Sequence, residues 1–145
     1  MKRISCLILI LLFICSCPVM AEEQPPVNNK PEFKYVTTVK PYVYYVDTNR
    51  NNIKKPDKDT MIFPVIWYSS DEDILYYGQC IIYFNFQTQE AQYRAYDIVK
   101  IKRSTSEILD TKKYNTPWAK LEYGTPVFAC GKYINDLLIN PKKTD

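Results

Sequence analysis

Ile74 to Phe86 alternates, and this alternation constrains the fold more than any other stretch of the chain. Ile74, Tyr76, Cys80, Ile82, Phe84 and Phe86 share one side, with Gly78 among them, while Gln79, Asn85 and Gln87 share the other. A period of two belongs to a β-strand, and an apolar side opposite a polar one marks a strand with one face in a core. Gln87 to Glu90 then reads as a turn. Ala91 to Lys102 returns with Tyr93, Ala95, Val99 and Ile101 on one side and Arg94, Tyr96, Lys100 and Lys102 on the other. Two long strands joined by a short turn run antiparallel. Asp97 interrupts the apolar side, which predicts a bulge at that point.

Weaker signals extend the sheet. Phe33 to Val39 and Tyr42 to Asp47 are rich in Tyr, Val and Thr and read as strands broken near Pro41. Met61 to Tyr68 is another, and its Pro64, which has no N–H to give, predicts an edge or a bulge there. A short sixth strand is expected around Ile108. The polar run Asp47 to Asp59 opens on Asp47-x-Asn49-x-Asn51, the start of a calcium loop. Asn52 stands where such a loop needs Gly and Lys58 where it needs Glu, so a polar turn accounts for it better.

The last segment changes period. Thr125 can cap a helix whose first residue is Pro126, and Val127, Cys130, Ile134, Leu137 and Leu138 then recur at helical spacing until Asn140-Pro141. Gly131 weakens that helix by roughly 1 kcal/mol relative to Ala. The reading is an α+β domain: a single antiparallel sheet of about six strands with the C-terminal helix packed on one face and the other face wet.

The compartment comes from the N-terminus. Lys2 and Arg3 precede the apolar run Ile4 to Cys15, and Val19 and Ala21 flank Met20. This is the pattern of a secretory signal peptide over residues 1–21, with an apolar run shorter than the roughly 20 residues of a spanning helix. Cleavage after Ala21 would free a soluble chain. Alternatively, Ile14-Cys15-Ser16-Cys17 resembles a lipobox, in which Cys17 is lipidated and tethers the domain to a membrane. Residues 22–32, with Pro25, Pro26 and Pro31, read as an extended linker, leaving 33–145 as one domain. Two cysteines remain in the exported part, Cys80 and Cys130. An even pair in an oxidising space reads as a disulfide worth about 4 kcal/mol in the chain-entropy picture, the other reading being two buried free thiols.

Composition then excludes function classes. The chain has no histidine, which removes Ser-His-Asp and Cys-His nucleophilic sites and imidazole zinc sites. The acidic clusters Asp57-Lys58-Asp59 and Asp71-Glu72-Asp73 read as solvated turns rather than paired catalytic carboxylates. No enzyme, metal or cofactor is expected. Without Lys2 and Arg3, 17 basic residues face 16 acidic ones, too even a balance to attract nucleic acid.

Several short pieces, in order, resemble the surface-adhesin protein E family of small exported bacterial proteins. They are Tyr44-Tyr45-Val46-Asp47, Val65-Ile66-Trp67, Ile82-Tyr83-Phe84-Asn85-Phe86, Tyr93-Arg94, Pro117-Trp118 and Gly124-Thr125-Pro126, followed by Cys130. The resemblance spans about Tyr42 to Ile134. It implies a six-stranded antiparallel sheet with a disulfide-linked C-terminal helix, often dimeric, that binds host matrix or serum proteins. One departure is Cys80, which stands earlier on its strand than the family's first cysteine, near Thr88 here. The expected function is an exported cell-envelope binding protein, at the cell surface, outer membrane or periplasm, contacting a protein partner through the wet sheet face at Arg94, Tyr96, Lys100 and Lys102. The alternatives are a periplasmic structural or assembly protein, or a carrier of a small apolar ligand held between sheet and helix.

Overall fold

The computed structural model describes residues 32–85 and 87–140. The signal segment, Cys17, nearly all of the linker, Phe86 and Pro141 lie outside the described residues. The strands are β1 (Phe33–Val39), β2 (Tyr42–Asp47), β3 (Thr60–Ser69), β4 (Ile74–Asn85), β5 (Glu90–Lys102), β6 (Ile108–Tyr114) and β7 (Ala119–Lys120), followed by helix α1 (Pro126–Ile139). All pairings are antiparallel and follow chain order from β1 to β6, with β7 added beside β5. The α+β class and the C-terminal helix are as expected. The strand count is not: seven strands form the sheet, and an isolated bridge from Lys54 to Ile62 adds a further short pairing. A two-residue strand such as β7 carries too little alternation to be read from sequence.

Pro64 illustrates how local the rules are. β3 lies inside the sheet, yet the β2 ladder ends at the Val46–Val65 pair, one residue short of Pro64. Ile62 donates its N–H to Lys54 on that same side of the strand, so the N–H that Pro64 lacks would have pointed beyond the end of β2. The proline therefore occupies a local edge of an interior strand.

The Asp47–Asp59 connection is the polar turn foreseen. Asp47 accepts hydrogen bonds from the Asn49 amide (2.8 Å) and the Asn52 side chain (2.7 Å), and Asn49 accepts from the Asn51 amide (3.0 Å), around a 3-10 turn at Arg50–Asn52. With both its carboxylate oxygens so engaged, Asp47 serves the loop itself. The Arg50 guanidinium donates to the Leu137 carbonyl at 2.6 Å and ties this loop to the end of α1.

Helix α1 begins where expected. The Thr125 hydroxyl accepts from the Phe128 amide (3.3 Å), and Pro126 occupies the first helical position. Its Cys130 and Ile134 join Val46, Phe63, Val65, Cys80 and Ile82 in a buried cluster on one side of the sheet.

The other side is not wet. Phe33, Val43, Tyr45, Ile66, Tyr68 and Leu75 form a second buried cluster there, with Tyr77 and Ile101 against it. The Phe33 and Tyr77 rings meet edge-on at 6.2 Å although β1 and β4 are three steps apart in the sheet. At about 4.8 Å per step a flat sheet would hold those backbones some 14 Å apart, so the sheet curls toward this face. Tyr45 stacks on Tyr68, and the Arg103 guanidinium lies 4.6 Å over the Tyr68 ring. Curvature and aromatic rings thus close the side that the helix leaves open.

Candidate functional site: an apolar cavity under the helix

Between α1 and the sheet lies a partly open cavity of about 370 Å³. Its floor is Tyr44 from β2, Phe63, Val65 and Trp67 from β3, Cys80 from β4, and Tyr93 and Ala95 from β5. Val127 and Cys130 of α1 form the roof, and Thr116, Pro117 and Ala119 close one side. Alternation builds the floor: Tyr44 pairs with Trp67, Phe63 with Cys80, and Cys80 with Ala95, and cross-strand partners point the same way. The side wall is held on β5 by Thr116, whose hydroxyl accepts from the Ala95 amide (2.9 Å) and donates to the Ala95 carbonyl (3.2 Å).

No lining residue carries a formal charge. Burial pushes the Tyr44 phenol above its ordinary range, with Cys130, Tyr42 and Tyr93 adding to the rise, so it stays protonated as a donor. Burial pushes the Cys80 thiol far up, reinforced by Cys130, and carries Cys130 itself to about 12. Both are neutral, weakly polar wall atoms at any physiological pH.

The expected disulfide is absent. Cys80 and Cys130 are free, buried thiols, not within bonding distance of each other. They stand on facing layers, one on the cavity floor and one on its roof, so the helix is held over the sheet by packing.

The four residues expected to share one wet face do not share one. Gln79 pairs with Tyr96 and Tyr77 with Val99, so three residues of β5 advance against two of β4. Asp97 occupies this bulge with φ 53°, a left-handed conformation that Asp tolerates better than most residues. The extra residue inverts the sidedness of β5. Arg94 and Tyr96 pair with Ile81 and Gln79 on the curled face, whereas Lys100 and Lys102 pair with Tyr76 and Ile74 on the helix side. Gly78 makes this possible, because a Cβ there would stand 3.1 Å from Ile98 Cγ1 and 3.2 Å from the Tyr96 carbonyl oxygen. The same inversion places Val99 and Ile101 opposite Tyr93 and Ala95, not beside them.

Each half of the separated set has its own surroundings. The Arg94 guanidinium lies 5.2 Å from the Trp118 ring and 5.9 Å from that of Tyr96, and its Nε is buried without a hydrogen-bond partner. The Lys100 ammonium sits between the Tyr76 (5.8 Å) and Tyr114 (5.7 Å) rings, and Tyr76 stacks at 5.4 Å on Trp67, a residue of the cavity wall. Tyr44, Trp67, Tyr93 and Pro117 were not marked as site residues by the sequence reading. Their signal was the general richness in aromatics, which does not separate a cavity wall from a core.

Among the described residues no three His, Cys, Asp or Glu side chains gather to hold a metal ion, and no helix is long and apolar enough to cross a membrane. Set against protein-family models, characterised proteins and solved structures, the chain matches none.

Proposed function

We propose that this is a non-enzymatic exported binding protein of the cell envelope that holds a small apolar molecule between sheet and helix. One observation carries the reading: an uncharged, aromatic-walled cavity of about 370 Å³ between sheet and helix. Ligand pockets are concave, mainly apolar and of roughly 300–1,000 Å³. Export follows from the signal-like N-terminus and sets where such a ligand would be met.

The test is to purify the protein from the envelope of producing cells, extract it with organic solvent and analyse the extract by mass spectrometry. An apolar compound should accompany the wild type in near-stoichiometric amount. It should be lost from Ala95→Trp, which fills the floor, and from Ala119→Phe, which fills the side. Equal recovery from the wild type and both folded variants, or from none of them, would sink the reading.

A second reading, contact with a host protein as in the surface-adhesin protein E family, is favoured by one feature. Arg94, Trp118 and Tyr96 form a cluster of the residue types that anchor protein interfaces. Protease shaving of intact cells separates the two. Release of peptides from 33–143 without lysis fits an adhesin, and full protection until the envelope is opened removes that reading.

A further inference from the structure

The strand registers give the cavity a shape. Tyr93 pairs with Ile82, and Ile82 with Met61, whereas Tyr44 pairs with Trp67. Tyr93 and Tyr44 thus stand at opposite ends of the floor, ~20 Å apart along β3 at about 3.4 Å per residue. A cavity of about 370 Å³ that touches both is long and narrow, roughly 20 Å² in mean section. Carbon atoms that pack at about 4 Å give a single hydrocarbon chain about that girth, and a fused ring system is wider. At about 30 Å³ for a water-sized group, the same volume takes roughly a dozen such groups in file.

Helix α1 covers one end of this slot. Gly131 meets Ile82 there, and the Leu137 carbonyl accepts from Arg50 in the loop after Asp47, at the same end of the sheet. A helix with its side chains is about 10–12 Å across, so the Tyr44–Trp67 end lies beyond its cover. Phe63, Val65 and Cys80 in the middle of the floor are buried, and Tyr44 and Trp67 at this end are half-buried. This end forms the mouth.

A cation stands beside the mouth. Tyr44, Trp67, Tyr76 and Lys100 are successive cross-strand partners from β2 to β5 and form one row on the helix side. The Lys100 ammonium lies by the Tyr76 ring, which stacks on Trp67. Among the described residues Lys100 is in no ion pair. Asp110, opposite it on β6, accepts instead from the Tyr114 hydroxyl and from the Lys112 amide (2.8 Å). An anionic head here would meet an ammonium without entering the apolar slot, where a bare charge is expensive. One ammonium balances one negative charge, which suits a carboxylate better than a doubly charged phosphate.

On the carrier reading above, we propose that the ligand is a long-chain carboxylate. Its single unbranched chain lies in the slot, and its carboxylate sits outside the mouth on the Lys100 ammonium.

Dodecanoate, dodecanol, dodecyl phosphate and adamantane carboxylate test charge and shape separately. Binding to the delipidated exported protein is followed by Trp67 fluorescence in a Trp118→Phe background. Dodecanoate should bind tightest of the four at neutral pH. Lys100→Met, which removes the charge, should weaken dodecanoate about tenfold and leave dodecanol unchanged, while Lys100→Arg should retain dodecanoate. Without any change at Lys100, raising the salt should weaken dodecanoate and not dodecanol. Dodecanoate affinity that is indifferent both to salt and to Lys100→Met, with dodecanol still bound, overturns the contact with Lys100 and leaves the cavity as a binding site. Dodecyl phosphate binding tighter than dodecanoate overturns the carboxylate head, and adamantane carboxylate binding as tightly as dodecanoate overturns the chain. Failure of every probe to bind the protein with Lys100 in place overturns the carrier reading itself.

Discussion

Cys80 and Cys130 show how much a residue's meaning depends on what surrounds it. Both sit at apolar positions of their elements, as alternation and helical spacing predicted, and both are buried in one cluster. Sequence could not say whether the thiols meet, because a bridge depends on ångström-level approach between two layers and not on which side each residue faces. Being neutral and buried, they should resist alkylation: native protein treated with iodoacetamide near pH 8 should stay unmodified by mass, and urea-unfolded protein should take up two labels. The same burial has a pH consequence. Both folded pKa values are raised above the ordinary 9.0, so the unfolded state loses its thiol protons first. The contribution to stability is whole below pH 9 and falls as pH rises above it, by up to ~1.4 kcal/mol per pH unit for each thiol. The raised phenol of Tyr44 acts in the same direction but from a higher starting point, its ordinary value being 10.0. Urea titrations from pH 8 to 9.5 should therefore show a steeper loss for the wild type than for the Cys80→Ala, Cys130→Ala double variant. Equal slopes would mean that the thiols are more accessible than they are here.

Among the elements, α1 was the most legible: its cap, its proline and its apolar stripe each follow a local rule, and the helix spans Pro126–Ile139. Its glycine was misread. Gly131 counts against the helix by propensity alone, but a Cβ at that position would stand 2.5 Å from Ile82 Cδ1. The residue sits where the helix meets the end of the Ile82 side chain of β4. Gly131→Ala requires only that Ile82 Cδ1, the free end of its side chain, turn aside, so the cost of that shift should offset part of the roughly 1 kcal/mol of helix propensity gained. Ile82→Val removes the opposing methyl, so the two changes together should cost less than the sum of each alone. Thermal or urea denaturation of the four proteins closes the cycle, and strict additivity would show that Gly131 and Ile82 do not compete for space. The strands divide in the same way. β1 and β2 begin and end where their composition said, because local residue preferences sufficed. The sidedness of β5 beyond Asp97 was lost, because a bulge foreseen at one residue has an effect on every residue after it, and counting by twos does not register the extra step.

For the whole molecule, the sequence promised one core and one wet face, and the structure has a buried cluster on each side. Tyrosine explains part of the error. The chain carries 13 of them, and a residue with an apolar ring and a polar tip is at home on either side of a sheet, so its position argues for neither. Curvature explains the rest, since it arises from contacts such as Phe33 with Tyr77 that are far apart in the chain. The two clusters make a direct prediction. Ile66 lies on the curled side and Ile134 under the helix, and each is 0% exposed. Truncation to Ala should cost about 2–5 kcal/mol at either site, measured by urea denaturation. An Ile66→Ala variant as stable as the wild type would mean that the curled side is not a packed core.

Asp97 has a consequence for how this chain tolerates change. It acts as a phase slip in an otherwise binary code: before it, the odd-numbered residues of β5 look toward the helix, and after it the even-numbered ones do. One strand is therefore spliced from two half-messages, each addressed to a different layer. Deleting Asp97 would leave the composition and apolar content of the strand almost untouched, yet it would turn Val99 and Ile101 toward the helix layer and Lys100 and Lys102 into the packed side. Inserting a second residue beside it would restore the parity that simple alternation suggests, with the same damage.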